Sequence, residues 1–199
     1  MKLIVRIVGA LLVLLVVCFL GLWAASNRRD AGRMRGSIDI ERGPDVVFAW
    51  MSEPDKLTQW VGWLVEVQPD STTPAAGIGH RETWIMDDPR MRQKLPVPGT
   101  ITLWEPPQQM GVHIEVPKMF EGDVFYKLTD LGAGRTRVEQ DARFHYKDRF
   151  AALMEPMVTP EAMRKMVDDM HRLKTKVEAQ PFPADSTDLL DVPADTTGN

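Results

Sequence analysis

Residues 37–67 read SIDIERGPDVVFAWMSEPDKLTQWVGWLVEV, and this stretch decides the fold. Its first five residues alternate between polar and apolar types, which predicts a short β-strand. The Gly-Pro-Asp at 43–45 then indicates a helix start, because proline fits the first helical turn and an aspartate there complements the helix dipole. A second Pro-Asp pair at 54–55 interrupts that helix and predicts a second short one before a strand that begins at Leu64.

Five further segments downstream carry the alternation and the turn residues of antiparallel strands. They are Gly79–Met86, Gly99–Glu105, Met110–Val116, Gly122–Thr129 and Arg135–Tyr146. The last segment places apolar residues on one face and charged residues on the other, which is typical of a sheet with one face in water.

A long helix is predicted to close the domain. Thr159 is its expected N-cap and Pro160 its first residue. An apolar stripe at helical spacing then runs to Val177. A sheet with one apolar face must bury that face, so we expect the helix to pack on it. The predicted fold class is α+β, a curved antiparallel sheet wrapped on a long C-terminal helix.

The N-terminal segment is strongly apolar. Residues 7–25 read IVGALLVLLVVCFLGLWAA without a charge, and as a helix they span roughly 28 Å, close to the hydrocarbon thickness of a bilayer. We interpret residues 1–25 as one transmembrane anchor, with a cleaved secretory signal sequence as the alternative. The expected location is a single-pass position in a bacterial cytoplasmic membrane. Arginines after the span favour a cytoplasmic domain and the short basic N-terminus favours an exported one, so the side stays open.

The remaining organisation follows from composition. Residues 26–36 are polar and arginine-rich and form the expected juxtamembrane linker, residues 37–180 form the domain, and residues 181–199 form an expected disordered acidic tail.

The formal net charge is −4, which weighs against a nucleic-acid partner. A single cysteine, Cys18, excludes an intrachain disulfide and a cysteine-based zinc site. We expect no cofactor and no metal, and the oligomeric state is left open.

Three shorter motifs complete the pattern. They are Gly77-Ile78-Gly79 before a strand, Leu-Trp-Glu-Pro-Pro at 103–107, and Tyr-Lys-Leu-Thr-Asp at 126–130 followed by Gly-Arg-Thr-Arg-Val at 134–138. With the opening stretch, they make residues 34–180 resemble the SRPBCC superfamily, the START-like helix-grip domains of the polyketide cyclase/dehydrase type. The resemblance implies a cavity between sheet and helix that holds a hydrophobic small molecule or lipid. These motifs mark the fold and carry no catalytic residue.

The candidate ligand-binding residues lie on the faces expected to point inward. They are Trp84, Tyr126, Gln140, Phe144, Met163, Met166 and Met170. Methionine adapts to an irregular apolar ligand, and a buried hydroxyl or amide needs a polar partner, which a ligand can supply. Ordinary core packing is the alternative for each of them. In relatives of this fold the region of Trp60 and Trp63 covers the cavity mouth, so these two could form a lid.

Catalysis is left open, because no nucleophile motif, phosphate-binding loop or metal-binding motif occurs. His80 and Glu82 are the weak catalytic candidates. If their face points inward they could exchange protons with a substrate, whereas Arg81 and its alternate neighbours form the competing inner face. The first hypothesis is a membrane-tethered, non-catalytic binding domain. The alternatives are a cyclase- or dehydratase-type enzyme for a hydrophobic substrate, and an interaction module.

Overall fold

The computed structural model describes residues 2–27, 32–89 and 93–181. Seven strands and four helices lie within these ranges. In chain order they are α1 (Lys2–Ser26), β1 (Arg33–Ile40), α2 (Pro44–Ser52), α3 (Pro54–Trp60), β2 (Leu64–Pro69), β3 (Arg81–Met86), β4 (Leu95–Glu105), β5 (Gln109–Val116), β6 (Phe120–Gly132), β7 (Arg135–Tyr146) and α4 (Arg149–Glu178).

The strands form one antiparallel sheet in the order β1-β7-β6-β5-β4-β3-β2. Its inner face is apolar, with Val112, Val124 and Val138 buried among the core residues. Helix α4 covers β1 and β7, and α2 and α3 connect the first strand to the last one in the sheet order. The expected α+β architecture, a curved antiparallel sheet on a long C-terminal helix, is confirmed.

The two ends of the sheet have different surroundings. At one end β1 begins where β7 ends, as the pairing of Arg33 with Arg143 shows, and β4 begins where β3 ends. We call this the α1 end, because α1 precedes β1. At the opposite, distal end Ile40 pairs with Thr136. Helix α4 runs from the α1 end to the distal end, where Arg42 donates a hydrogen bond to the Glu178 carbonyl oxygen (2.8 Å).

The two short helices form where the Pro-Asp pairs predict them. Pro44 and Pro54 each occupy the first turn. The indole Nε1 of Trp60 donates to the Trp50 carbonyl oxygen (2.9 Å), and both rings are buried. This bond fixes the angle between α2 and α3.

The start of α4 differs from the prediction. The helix begins at Arg149, and its N-cap is Asp148, whose carboxylate accepts from the backbone N–H groups of Phe150 (2.9 Å) and Ala151 (3.0 Å). The predicted cap at Thr159 is therefore wrong, and Pro160 lies inside the helix together with Pro156. Each proline removes one helical N–H donor without ending the helix.

Several boundaries also shift. Strand β1 begins at Arg33 rather than Ser37, because residues 33–36 pair with β7, so the last part of the expected 26–36 linker belongs to the sheet. Strand β3 begins at Arg81 rather than Gly79, because Gly77 and Gly79 have positive φ and form a turn. Residues 28–31 of the expected linker and residues 182–199 of the expected acidic tail lie outside the described residues.

Among the described residues, one helix is long and apolar enough to cross a membrane. It comprises Lys2–Ala25, and none of its central apolar stretch is buried. A membrane anchor and a signal sequence both satisfy this criterion. Helix α1 contacts α4.

Candidate functional site

An apolar cavity of about 310 Å³ lies between α4 and the inner face of the sheet. The central strands provide valine, isoleucine and alanine side chains, among them Val112, Val124 and Ala142. Helix α4 provides four residues at helical spacing, Ala162, Lys165, Met166 and Asp169. Most of the wall is therefore hydrocarbon, and the few polar groups in it stand out.

Five of the predicted ligand-binding residues line this cavity: Trp84, Tyr126, Gln140, Phe144 and Met166. Met163 and Met170 are not among the residues that line it. A Cβ on Gly36 would lie 2.9 Å from Met166 Cε and 3.0 Å from Met170 Sδ, so the missing side chain of β1 makes room for both methionines. Met170 is buried against β1, and Met163 packs on the flank of the core.

The polar groups of the cavity come from β6, β7 and α4, and Asp88, which follows β3, adds a carboxylate to the lining. Tyr126 and Gln140 are directly paired across β6 and β7, so their side chains lie side by side on the inner face. On α4, the buried Asp169 carboxylate accepts from Lys165 Nζ (2.6 Å) and from the Gly62 backbone N–H (3.0 Å), and it also contacts Arg172. We call Tyr126, Gln140, Lys165 and Asp169 the polar strip.

Burial raises the pKa of the Tyr126 hydroxyl above its usual range, and the negative charge of Asp169 adds to this effect. The hydroxyl thus stays protonated at physiological pH, and it can donate a hydrogen bond to a carbonyl or carboxylate oxygen in the cavity.

Charged residues on an amphipathic helix usually lie on its solvent face, so Lys165 and Asp169 were not among the ligand-binding residues predicted from the sequence. The signal for the correct face was their spacing from Ala162 and Met166, three and four residues apart along one side of the helix. Asp169 is only 7% exposed.

The cavity opens at the α1 end of the sheet. The half-buried lining residues Met86, Leu95, Phe120 and Phe144 all lie at this end, whereas Val112, Val124 and Ala142 farther along the strands are buried; Trp84 and Gln140 are also half-buried. Trp63 completes the rim, and Lys165 Nζ lies 5.1 Å from its ring centroid.

Trp63 has a left-handed backbone (φ 69°), which is uncommon for a bulky residue, and its carbonyl oxygen accepts from the Asp87 N–H (2.7 Å). Trp60, by contrast, is buried and holds α2 against α3. Of the two tryptophans considered for a lid, Trp63 is the one at the rim.

A second cavity, of about 380 Å³, lies at the distal end. It is lined by the turn between β2 and β3, by the end of α2, and by His80, Glu82 and Trp104. Trp84 and Val112 line both cavities, so these two side chains form a wall between them.

The inner face of β3 is now defined. Glu82 is 7% exposed and Arg81 is exposed, so the face that includes Glu82 and Trp84 points inward. Glu82 Oε1 accepts from the Trp84 indole Nε1 (2.5 Å). His80 Nδ1 lies 2.7 Å from the Pro74 carbonyl oxygen. A carbonyl oxygen only accepts, so Nδ1 carries a proton.

His80 Nε2 and Glu82 Oε2 are 3.6 Å apart. This distance allows an ion pair but is too long for a direct hydrogen bond. The pair also lies in the distal cavity, away from the polar strip. The catalytic candidates and most of the ligand-binding candidates are therefore in different cavities. Among the described residues, no cluster of three or more potential metal ligands occurs.

The sequence model of the family described as polyketide cyclase / dehydrase and lipid transport matches residues 31–178. The chain belongs to this family. A search of curated protein sequences found no significant match.

Solved structures agree with this assignment. Ara h 8.0201 superposes with a TM-score of 0.60 at 11% identity, over 74% of this chain and 98% of that one. A protein from Thermus thermophilus, TTHA0849, gives 0.59 at 14% identity, over 73% and 96%. The di-domain ARO/CYC BexL from the BE-7585A biosynthetic pathway gives 0.58 at 14% identity, over 73% of this chain and 46% of that one. At these identities the likeness shows the START-like, helix-grip fold alone.

Proposed function

We propose that this protein is a membrane-tethered binding protein that holds a hydrophobic small molecule or lipid in the apolar cavity without transforming it. The observation that carries the proposal is the composition of that cavity, a hydrocarbon wall interrupted by the polar strip. Family membership supports a hydrophobic ligand.

The cavity also constrains the ligand. Its volume of about 310 Å³ is at the lower end of the range for small-molecule sites, which favours a single chain or a few fused rings over a two-chain phospholipid. Tyr126 and Gln140 lie next to each other and can bond one oxygen-bearing head group. Because Lys165 and Asp169 pair with each other, the strip favours a polar head over a strongly charged one.

The membrane tether in this proposal is α1, which we propose to be a single-pass anchor in a bacterial cytoplasmic membrane because it is long and apolar enough to cross one. A hydrophobic ligand dissolves in a bilayer, so an anchored domain meets it at a higher local concentration. The proposal holds for either side of the membrane.

An enzyme of the cyclase or dehydratase type is the second candidate, because His80 and Glu82 share the distal cavity. Two observations favour binding over catalysis. The two residues lie outside the apolar cavity, and their 3.6 Å separation supplies no direct proton path.

The test uses the full chain in lipid nanodiscs with a photoactivatable fatty acid, whose crosslinks are located by peptide mass spectrometry. Ala142→Phe fills the apolar cavity, and Ala76→Phe makes the same change at the distal cavity. We expect crosslinks on β6, β7 and the Met166 region in the wild type and in A76F, reduced about tenfold in A142F. Crosslinks confined to α1, or cavity crosslinks that A142F leaves unchanged, would refute the proposal.

Overpacking by A142F costs about 1–3 kcal/mol, so a second variant separates lost binding from lost folding. Gln140→Leu keeps the side-chain size and removes the amide. We expect Q140L to fold and to bind the fatty acid about five- to tenfold more weakly, the effect of one hydrogen bond. Release of the converted probe as a free product would favour the enzyme.

A further inference from the structure

Exposed apolar side chains lie beside the cavity mouth. Phe150 and Met157, which are 70% and 61% exposed, are seven residues apart and so share one face of the first half of α4. Val158 flanks them. Met119 lies in the β5–β6 turn, and its carbonyl oxygen accepts from the Lys147 N–H (3.0 Å), which places the turn next to the start of α4. We call these four residues the apolar patch.

The patch lies close to the end of α1. Gly32 is fixed to the sheet, because its carbonyl oxygen accepts from the Phe144 N–H (3.0 Å). Its own N–H donates to Glu155 on α4. The chain from Asn27 to Gly32 can span at most about 17 Å. The α1 end of the sheet is thus held within that distance of the helix terminus.

The distal end is much farther from α1. Strand β6 has 13 residues and so extends for roughly 40 Å. Of the two ends, only the α1 end can reach a bilayer that α1 spans without a long connecting segment. The restriction comes from chain length and hydrogen bonds, and it applies equally on either side of the membrane.

The sequence around the patch has the character of an interfacial surface. Lys118 directly precedes Met119, and Arg149 directly precedes Phe150; all four side chains are exposed. Apolar side chains of this kind enter the acyl boundary, while neighbouring cations remain at the headgroups and attract anionic lipid.

We propose that the domain lies on the bilayer through the apolar patch, with the α1 end of the sheet against the lipid. Phe120 and Phe144, at the rim of the apolar cavity, are at this same end. The mouth therefore opens towards the bilayer, and a hydrophobic ligand passes between lipid and cavity without crossing bulk water. This inference rests on the proposed tether and specifies its partner, a lipid surface.

The test uses the full chain in vesicles of phosphatidylcholine and phosphatidylglycerol. Cys18→Ser removes the native thiol, and a nitroxide label is then attached at Met157→Cys or, as the control, at Ile78→Cys. Ile78 is 66% exposed and lies in the turn before β3 at the distal end. Collision rates with oxygen, which enriches in lipid, and with a water-soluble nickel complex report the depth of each label.

We expect the label at residue 157 to be accessible to oxygen and protected from nickel, and the label at residue 78 to be accessible to nickel. Equal nickel access at the two positions would overturn the proposal. Protection of residue 157 from both reagents would also overturn it, because it would place protein, such as a second copy, on the patch.

A second measurement links the patch to ligand uptake. Phe150→Asp with Met157→Asp should slow cavity crosslinking of the fatty acid about tenfold and leave its final extent unchanged, whereas Ile78→Asp should have no effect. Equal rates in the two variants would contradict a lipid-facing mouth. Loss of cavity crosslinks in every sample, with residue 157 still in lipid, would refute the binding function and leave the docking intact. The reverse pattern would refute the docking alone.

Discussion

The two ends of the sheet differ in how their parts are held together. At the distal end, charged and polar side chains bond the backbone. Arg42 donates to the carbonyl oxygens of Glu41 (2.6 Å), Glu178 (2.8 Å) and Gln180 (2.5 Å), while Thr136 Oγ1 donates to that of Arg42 (2.7 Å). At the α1 end, the apolar cavity is open, its rim is half-buried, and two prolines interrupt the helix above it. We therefore expect the distal end to contribute more to stability, whereas the open rim of the cavity lies at the α1 end.

The largest expected effect tests this division in stability. Arg42→Ala leaves the partly buried carbonyl oxygens of Glu178 and Gln180 without their charged donor, and we expect a loss of about 1.5–3 kcal/mol in the free energy of unfolding. Met157→Ala at the α1 end removes an exposed side chain and should change it by less than about 0.5 kcal/mol. Chemical denaturation of the full chain, followed by tryptophan fluorescence, measures both. Similar losses in the two variants would remove the distinction between the ends.

The next prediction compares one tryptophan from each cavity. Trp63→Ala removes part of the rim at the α1 end, so exchange of the bound fatty acid should accelerate about tenfold. Trp104→Ala, which removes a ring from the distal cavity, should leave exchange unchanged. The rate is measured by chasing the crosslinkable fatty acid with an unlabelled one. Acceleration by W104A alone would place the route through the distal cavity.

Two glutamates on α4 extend the comparison to pH. Burial raises the pKa of Glu155, at the α1 end, and its bond with the Gly32 N–H and the charge of His145 only partly oppose this. Burial would also raise the pKa of Glu178, but the Glu41 N–H and the cations Lys174 and Arg42 outweigh it, and the pKa is lowered.

The signs of the two pH effects are opposite. Folded Glu155 holds its proton more tightly than the unfolded chain does, so its contribution to stability is lost as pH rises above about 4.5. Glu178 contributes above that value, and its contribution is lost as pH falls through its lowered pKa. Glu155→Gln should therefore reduce the loss of stability on raising the pH, and Glu178→Gln should remove stability near neutral pH. The free energies of unfolding of both variants and the wild type are measured from pH 3 to pH 7, roughly the range over which carboxyl groups titrate. The difference between variant and wild type should change with pH in opposite directions for E155Q and E178Q. A change in the same direction for both would contradict this prediction.

The smallest expected effect concerns the distal cavity alone. Because the Pro74 carbonyl faces His80 Nδ1, the neutral imidazole should carry its proton on Nδ1. Nitrogen-15 spectra of selectively labelled histidine distinguish the two tautomers. Glu82→Gln should leave fatty-acid crosslinking in the apolar cavity unchanged. A neutral form protonated on Nε2 would contradict the bond to the Pro74 carbonyl oxygen, and lost crosslinking in E82Q would show that the two cavities are coupled.

Local sequence signals predicted most of the fold. The Pro-Asp pairs placed α2 and α3, and the alternation in β7 placed its boundaries and its inner face, because both signals depend on neighbouring residues. The start of α4 was missed because Thr159 and Pro160 have the composition of a helix start. Nothing nearby in sequence shows that the capping carboxylate of Asp148 has already begun the helix.

The candidate site was predictable only in part. Alternation along the strands identified Tyr126, Gln140 and Phe144, which do line the apolar cavity. It could not separate that cavity from the one holding His80 and Glu82, because both sets occupy the inner face of one sheet. Which of the two cavities a residue lines depends on the end of the sheet at which it lies, and this is set by the pairing of strands that are distant in the sequence. Likewise, the packing of Met170 against β1 depends on Gly36, a residue distant in the sequence.

The two prolines in α4 have a mechanical consequence. A helix resists bending because each turn is tied to the next by backbone hydrogen bonds, and Pro156 and Pro160 remove two of those ties within little more than one turn. The softest stretch of the helix therefore lies directly before Ala162, the first helical residue of the cavity wall. The distal half of the helix has its full set of backbone hydrogen bonds and is held by Arg42, so we expect it to bend less than the stretch around the two prolines. If the helix bends, we expect the bend at these two prolines, beside the mouth of the cavity, rather than in the half of the helix that Arg42 holds.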